Sequence, residues 1–114
     1  MKFIIYCRKS TDTEDKQLLS LESQEQELMQ VADSQGLNIV KVLTESMSAK
    51  APGRPIFNEM IAMIMSGQAD AILCWKIDRL TRNPVDGGQL QWLLQKGNIQ
   101  CIQTYEKTYL PHDN

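Results

Sequence analysis

This chain has a single histidine, His112, and it lies in the extreme C-terminal residues. A hydrolase built on a serine–histidine pair is therefore not available to it. Metal-dependent phosphoryl transfer is poorly supported for a related reason. It needs clustered carboxylates or histidines, and the region of interest below offers only Glu45 and Asp78. The 6 glycines never fall into Gly-x-x-x-x-Gly-Lys-Ser/Thr or Gly-x-Gly-x-x-Gly, so no backbone cradle for a nucleotide phosphate is expected. No apolar run approaches membrane-spanning length, and the opening "MKFIIYC" is too short for a signal peptide. The 3 cysteines, Cys7, Cys74 and Cys101, are widely spaced and each sits in an apolar run. They are expected to be reduced core residues of a cytoplasmic protein, neither a disulfide frame nor a metal site. There is no internal repeat and no low-complexity segment.

The 114 residues suffice for one domain with a core, and 42% hydrophobic with 23% charged residues is a globular composition. A net charge of −2 argues mildly against a polyanionic partner. Where the charges sit matters more.

"KFIIYC" is apolar without polar alternation, as expected of a strand buried on both faces. A helix is expected from about Thr13 to Gln35, with Leu18, Leu21, Leu28 and Val31 as its apolar stripe and Gly36 as C-cap. "NIVKVL" reads as a second strand, and "TESMSAKAPGR" as a loop because of its proline and glycine. Pro55 opens a helix with Phe57, Met60, Ile61, Ile64 and Met65 on one side, ended by Gly67. "DAILCW" is a third strand. Asn83-Pro84 is an N-cap and first-turn pair for a helix through Leu90, Leu93 and Leu94 to Gly97, and "NIQCIQTY" is a fourth strand. This alternation predicts an α/β fold, three layers with a mostly parallel sheet of four to five strands and right-handed crossovers. The tail "TYEKTYLPHDN" shows no closing element, which suggests a piece of something longer.

In such folds ligands bind beyond the carboxyl ends of the strands. All four arginines are expected there: Arg8 after strand one, Arg54 at the end of the loop after strand two, Arg79 and Arg82 after strand three. Lys9, Lys50 and Lys76 join the same edge as further phosphate contacts, and no arginine falls on a helix face. Meanwhile Asp12, Glu14, Asp15, Glu22, Glu25 and Glu27 crowd the first helix, a surface that should face away from a polyanion. A guanidinium is always charged and pairs with phosphate through two parallel bonds, so the cluster reads as an anion site. Ser10 places a hydroxyl beside it. Neighbouring arginines would lower its pKa and neutralise charge developing on a pentavalent phosphoryl transition state. The alternative for Ser10 is a turn or N-cap role, which Thr11 or Thr13 would fill equally well. Asp78 either handles a proton or forms a structural ion pair with Arg79 or Arg82. Gln24 shares the core-facing stripe of the first helix, and a buried amide needs partners. It either belongs to the site or sits at the edge of the stripe.

"YCRKS", "SLESQ", "ESMSAKAPGRPIFNEM" and "WKIDRLTRN", in this order, resemble the catalytic domain of the serine recombinases, the resolvase/invertase family, with wording closest to the large members. The likeness covers nearly all of residues 1–114. It implies that Ser10 forms a phosphoserine link to a DNA 5′ end, and that Arg8, Arg54, Arg79 and Arg82 bind and activate the scissile phosphate. Asp78 would assist proton transfer and Gln24 would support the site. It further implies DNA as partner, dimers or tetramers of the whole protein, no cofactor and no metal, and a cytoplasmic location in a bacterium or one of its phages or mobile elements. The family's long helix and DNA-binding domains are not represented in these residues, so 1–114 reads as the catalytic domain alone. Two rivals stay open: a silent assembly domain of the same fold, and a small serine-dependent phosphoesterase or nuclease.

Overall fold

A computed structural model describes residues 1–9 and 20–111. The elements run β1 (Lys2–Lys9), α1 (Leu21–Gln35), β2 (Asn38–Ser46), α2 (Pro55–Met65), β3 (Ala71–Cys74), α3 (Ile77–Leu80), α4 (Pro84–Lys96), β4 (Cys101–Thr104) and β5 (Thr108–Tyr109). One five-stranded sheet has the order β2-β1-β3-β4-β5, parallel except for the antiparallel β4–β5 pair. The expected α/β class holds, and the fifth strand comes from the tail that the sequence reading left without an element. Among the described residues no helix is long and apolar enough to cross a membrane.

The continuous apolar runs become the inner strands because both faces of the sheet are covered. Alternation along β1 sends Ile4 and Tyr6 to the side of α2 and α4, where they meet Phe57, Met60, Leu90 and Leu93. It sends Phe3, Ile5 and Cys7 to the side of α1, against Leu28 and Ala32. All three cysteines are buried and free of disulfides, as expected.

Several boundaries differ from the sequence reading. Helix α1 starts at Leu21: Ser20 is extended (φ −60°, ψ 163°) and its hydroxyl accepts from the Ser23 N–H, an N-cap the earlier start would have required to be helical. Leu18 and the rest of the stretch 10–19 lie outside the described residues. The buried positions of α1 are Gln24, Leu28 and Ala32, while Leu21 and Val31 are half-buried. Met65 is exposed, since one residue past Ile64 turns about 100° off the buried face of α2. Strand β2 runs through Ser46, pairing Thr44–Ser46 with Cys7–Lys9. Arg8 lies inside β1, not after it, and Arg79 lies in the short helix α3 where a loop was expected.

The chain leaves β1 toward one edge, to β2, and β3 then pairs with β1 on its other side. That reversal of winding puts a topological switch point at the carboxyl ends of β1 and β3. The basic residues of interest flank this position.

Candidate active site

Helix α3 is only one turn long, so most of its carbonyls have no partner within the helix. Two arginines supply the missing donors. Arg8 donates from Nε to the Arg79 carbonyl (2.8 Å) and from Nη2 to the Asp78 carbonyl (3.1 Å), and from Nη1 to the Met47 carbonyl (2.9 Å). Arg54 donates from Nη2 to the Leu80 carbonyl (2.7 Å). Three successive carbonyls at the negative end of α3 thus face cations, an arrangement favourable in both hydrogen bonding and dipole energy.

Arg54 is the hub of a wider buried network. Its Nη1 donates to the Tyr6 hydroxyl (3.0 Å), its Nη2 also meets Asp86 Oδ2 (3.1 Å), and its Cζ lies 4.1 Å from the centre of the Phe57 ring. Tyr6 in turn donates to Glu45 Oε1 (2.5 Å). Glu45 accepts from the Ile56 and Phe57 N–H groups at the start of α2 (2.9 and 3.1 Å), placing a carboxylate where the helix dipole favours one. Burial first, and the bond to Glu45 second, push the Tyr6 phenol well above its ordinary range, against the opposing effect of Arg54. It therefore stays neutral and bridges the carboxylate and the guanidinium. Burial also pushes the Cys7 thiol up to about 12, so it is a core group and no substitute nucleophile.

The structure brings Arg8, Arg54, Arg79, Asp78 and Gln24 to one end of the sheet, but not as an open cluster of four guanidiniums. Arg8, Arg54 and Arg79 are 0%, 1% and 3% exposed, whereas Arg82, Lys9, Lys50 and Lys76 are exposed. The sequence places arginines near an edge; only long-range acceptors decide that the Arg8 and Arg54 forks turn inward. Asp78 has about half its side chain exposed and lies 3.6 Å from Arg79 Nε, so the expected ion pair is present in a loose form that leaves the carboxylate accessible. Gln24 is buried and bonded at both amide ends to the Arg8 main chain. Ser10 follows directly on Lys9, the last residue of β1, and lies outside the described residues.

Tyr6 and Asp86 were missed as partners of these groups, and Glu45 was considered only as a metal ligand. Signals for the first two exist in the sequence. Tyr6 stands two before Arg8 and so shares its face of the strand. Asp86 stands three after the N-cap Asn83, a capping-box spacing. Glu45 has no such local signal: it stands in β2, and only the fold carries it to the start of α2.

A family model for the resolvase N-terminal domain matches residues 3–112. Similar solved structures include the N-terminal catalytic domain of TP901-1 integrase (24% identity over 93% of this chain and 78% of that one, TM-score 0.74). A resolvase family site-specific recombinase from Streptococcus pneumoniae is 25% identical over 93% of this chain and 72% of that one (TM-score 0.70). The C-terminal catalytic domain of ISC1926 TnpA, an IS607-like serine recombinase, is 22% identical over 94% of this chain and 71% of that one (TM-score 0.74).

Proposed function

This chain belongs to the resolvase N-terminal domain family, the catalytic domain of the serine recombinases, and from that premise we propose that Ser10 is the nucleophile of a site-specific DNA strand exchange. The observation that carries the reading is the convergence of arginines from three distant segments at the carboxyl end of β1, the strand that leads directly into Ser10.

In the proposed step the Ser10 oxygen attacks a backbone phosphorus. As the Ser10 hydroxyl gives up its proton a Ser10 O–P bond forms, the P–O3′ bond breaks, and the departing 3′ oxygen takes up a proton. The DNA 5′ phosphate remains esterified to the protein. Rejoining reverses this: a 3′ hydroxyl attacks the phosphoserine and Ser10 leaves with a proton. The number of phosphodiester bonds is conserved, so neither a high-energy cofactor nor a metal is required. Lys9, Lys50 and Lys76 contact the phosphates from the exposed rim, and Arg82, exposed beside them, donates to the scissile phosphate as its charge develops. Arg79, Arg8 and Arg54 stabilise charge developing on the phosphoryl group, with Arg8 and Arg54 also building the α3 turn that carries Asp78 and Arg79. Asp78, accessible and beside Arg79, assists the proton transfers. Gln24 holds the Arg8 main chain in place.

DNA is the partner that family membership supports. Residues 1–114 form the catalytic domain, and dimers and tetramers of the whole protein bring two DNA sites together in the cytoplasm. The direct test is a suicide substrate nicked close to the cleavage site, given to the protein that carries this domain. A covalent protein–DNA adduct whose phosphate maps to Ser10 by mass spectrometry is expected, and Ser10→Ala should form none while binding DNA normally. Adduct formation by Ser10→Ala would remove Ser10 from the mechanism.

A further inference from the structure

The loop after β2, which carries Lys50, and the turn between α3 and α4, which carries Arg82, are joined at one atom. The Ala49 carbonyl oxygen accepts from the Arg82 main-chain N–H (3.0 Å) and from Asn83 Nδ2 (3.0 Å). Asn83 Nδ2 also donates to Asp86 Oδ2 (2.9 Å), and Asn83 Oδ1 accepts from the Asp86 N–H (2.8 Å). The same Asp86 oxygen receives Arg54 Nη2 (3.1 Å). Asn83, Asp86 and Arg54 are all buried.

An N-cap alone does not need this arrangement. The capping bond uses only Asn83 Oδ1, and serine or threonine would serve as well. The amide nitrogen is what distinguishes asparagine here, and both of its bonds point away from helix capping: one to the loop, one to the carboxylate that receives Arg54. A buried carboxylate is tolerated where it is paired and hydrogen-bonded, and among the described residues Asp86 meets that condition through these two donors and its place at the start of α4.

We infer that Asn83 and Asp86 are a positioning pair: Asp86 fixes the guanidinium of Arg54, and Asn83 locks the Arg82 turn to the Lys50 loop so that both cations meet one DNA backbone in a set geometry. The inference rests on the proposed recombinase reading for its consequence in catalysis, and on the geometry alone for the clamp. Neither residue touches the reacting phosphate. Each acts through a cation, and a small displacement of such a group is felt mainly in the rate.

Two variants separate this role from simple support of the fold. Asn83→Ser keeps an N-cap oxygen and deletes both Nδ2 bonds. Asp86→Asn keeps shape and an acceptor while removing the charge opposite Arg54. Single-turnover cleavage at saturating DNA is expected to slow by about tenfold or more in each, with DNA affinity nearly unchanged and the final amount cleaved preserved, because loss of positioning acts on the rate constant. In an Arg54→Lys background, Asp86→Asn should add little further slowing, since residues acting through one group are not additive. A reduced amplitude with an unchanged rate constant and a lowered melting temperature would assign the pair a purely structural role and overturn the inference. So would full additivity with Arg54→Lys.

Hydrogen exchange on the protein without DNA tests the clamp whatever the chemistry proves to be. In Asn83→Ser the Arg82 amide should lose protection while amides in the middle of α4 keep theirs. An Arg82 amide equally protected in both proteins would overturn the clamp, whereas absence of any adduct from the wild-type protein would count against the recombinase reading instead.

Discussion

The carboxamide of Gln24 holds both main-chain polar groups of Arg8: its Oε1 accepts from the Arg8 N–H at 3.4 Å and its Nε2 donates to the Arg8 carbonyl at 3.1 Å. Pairing of β1 with β3 stops at Tyr6 and Cys74, two residues earlier. Beyond that point a helix side chain makes the bonds a neighbouring strand would make. The end of β1 is thereby kept extended up to the residue that precedes Ser10.

Gln24→Leu keeps the volume and removes both bonds, leaving the Arg8 N–H and carbonyl without this partner in a buried setting. A loss of ~2 kcal/mol in urea unfolding is expected, because an unsatisfied buried polar group costs about 1–3 kcal/mol. Unchanged stability would show that the amide is dispensable to the strand end.

Arg82→Ala and Arg54→Ala should fail in different ways. Arg82 is exposed, so its loss leaves the fold intact and slows cleavage by ~10²–10³, the usual effect of one transition-state donor. Arg54 is buried against Asp86, and its removal strands a carboxylate in the core, which costs about 3–5 kcal/mol. Thermal melts and cleavage assays run side by side distinguish them. Equal melting temperatures for the two variants would contradict the hub role of Arg54.

Alkaline pH should destabilise the protein in a defined window. Burial raises Tyr6, Cys7, Cys74 and Cys101 above ordinary values of 10.0 for the phenol and 9.0 for the thiols. These acids stay protonated in the folded protein after the unfolded chain has released its protons. Their contribution is complete below about pH 9 and declines as the pH rises, by up to roughly 1.4 kcal/mol per pH unit for each group held protonated. Denaturant unfolding from pH 7 to 11 checks the sign; stability rising above pH 9 would contradict it. The same burial predicts that thiol reagents react with Cys7 and Cys74 only as fast as the protein opens.

Cleavage should persist in EDTA. Among the described residues no group of three or more His, Cys, Asp or Glu side chains converges, and the basic rim supplies the charge that a metal would otherwise bring. Loss of cleavage in EDTA with recovery on adding magnesium would replace the proposed mechanism with a metal nuclease.

The order of the four parallel strands and the three longer helices was legible from local pattern alone, whereas α3 and β5 were not. Apolar runs without alternation marked β1 and β3, and Gly36 and the Asn83-Pro84 pair marked helix ends, because these preferences act within a turn or a strand. From that order follow the parallel sheet and the edge at which basic residues collect. The direction each arginine takes at that edge does not follow. Arg8 finds its acceptors 70 and 71 residues away on α3, and Arg54 finds Tyr6 48 residues back and Asp86 32 residues on. A short helix with unsatisfied carbonyls and a buried aspartate are strong acceptors in a low-dielectric interior, and they draw the guanidiniums inward. No local pattern carries that information, since it depends on which distant groups the folded chain brings within hydrogen-bonding distance. The amino-acid order thus determined the layers, the caps and the edge that carries the cations. The folded packing determined that Arg8 and Arg54 brace the site from inside while Arg82 and the lysines face solvent.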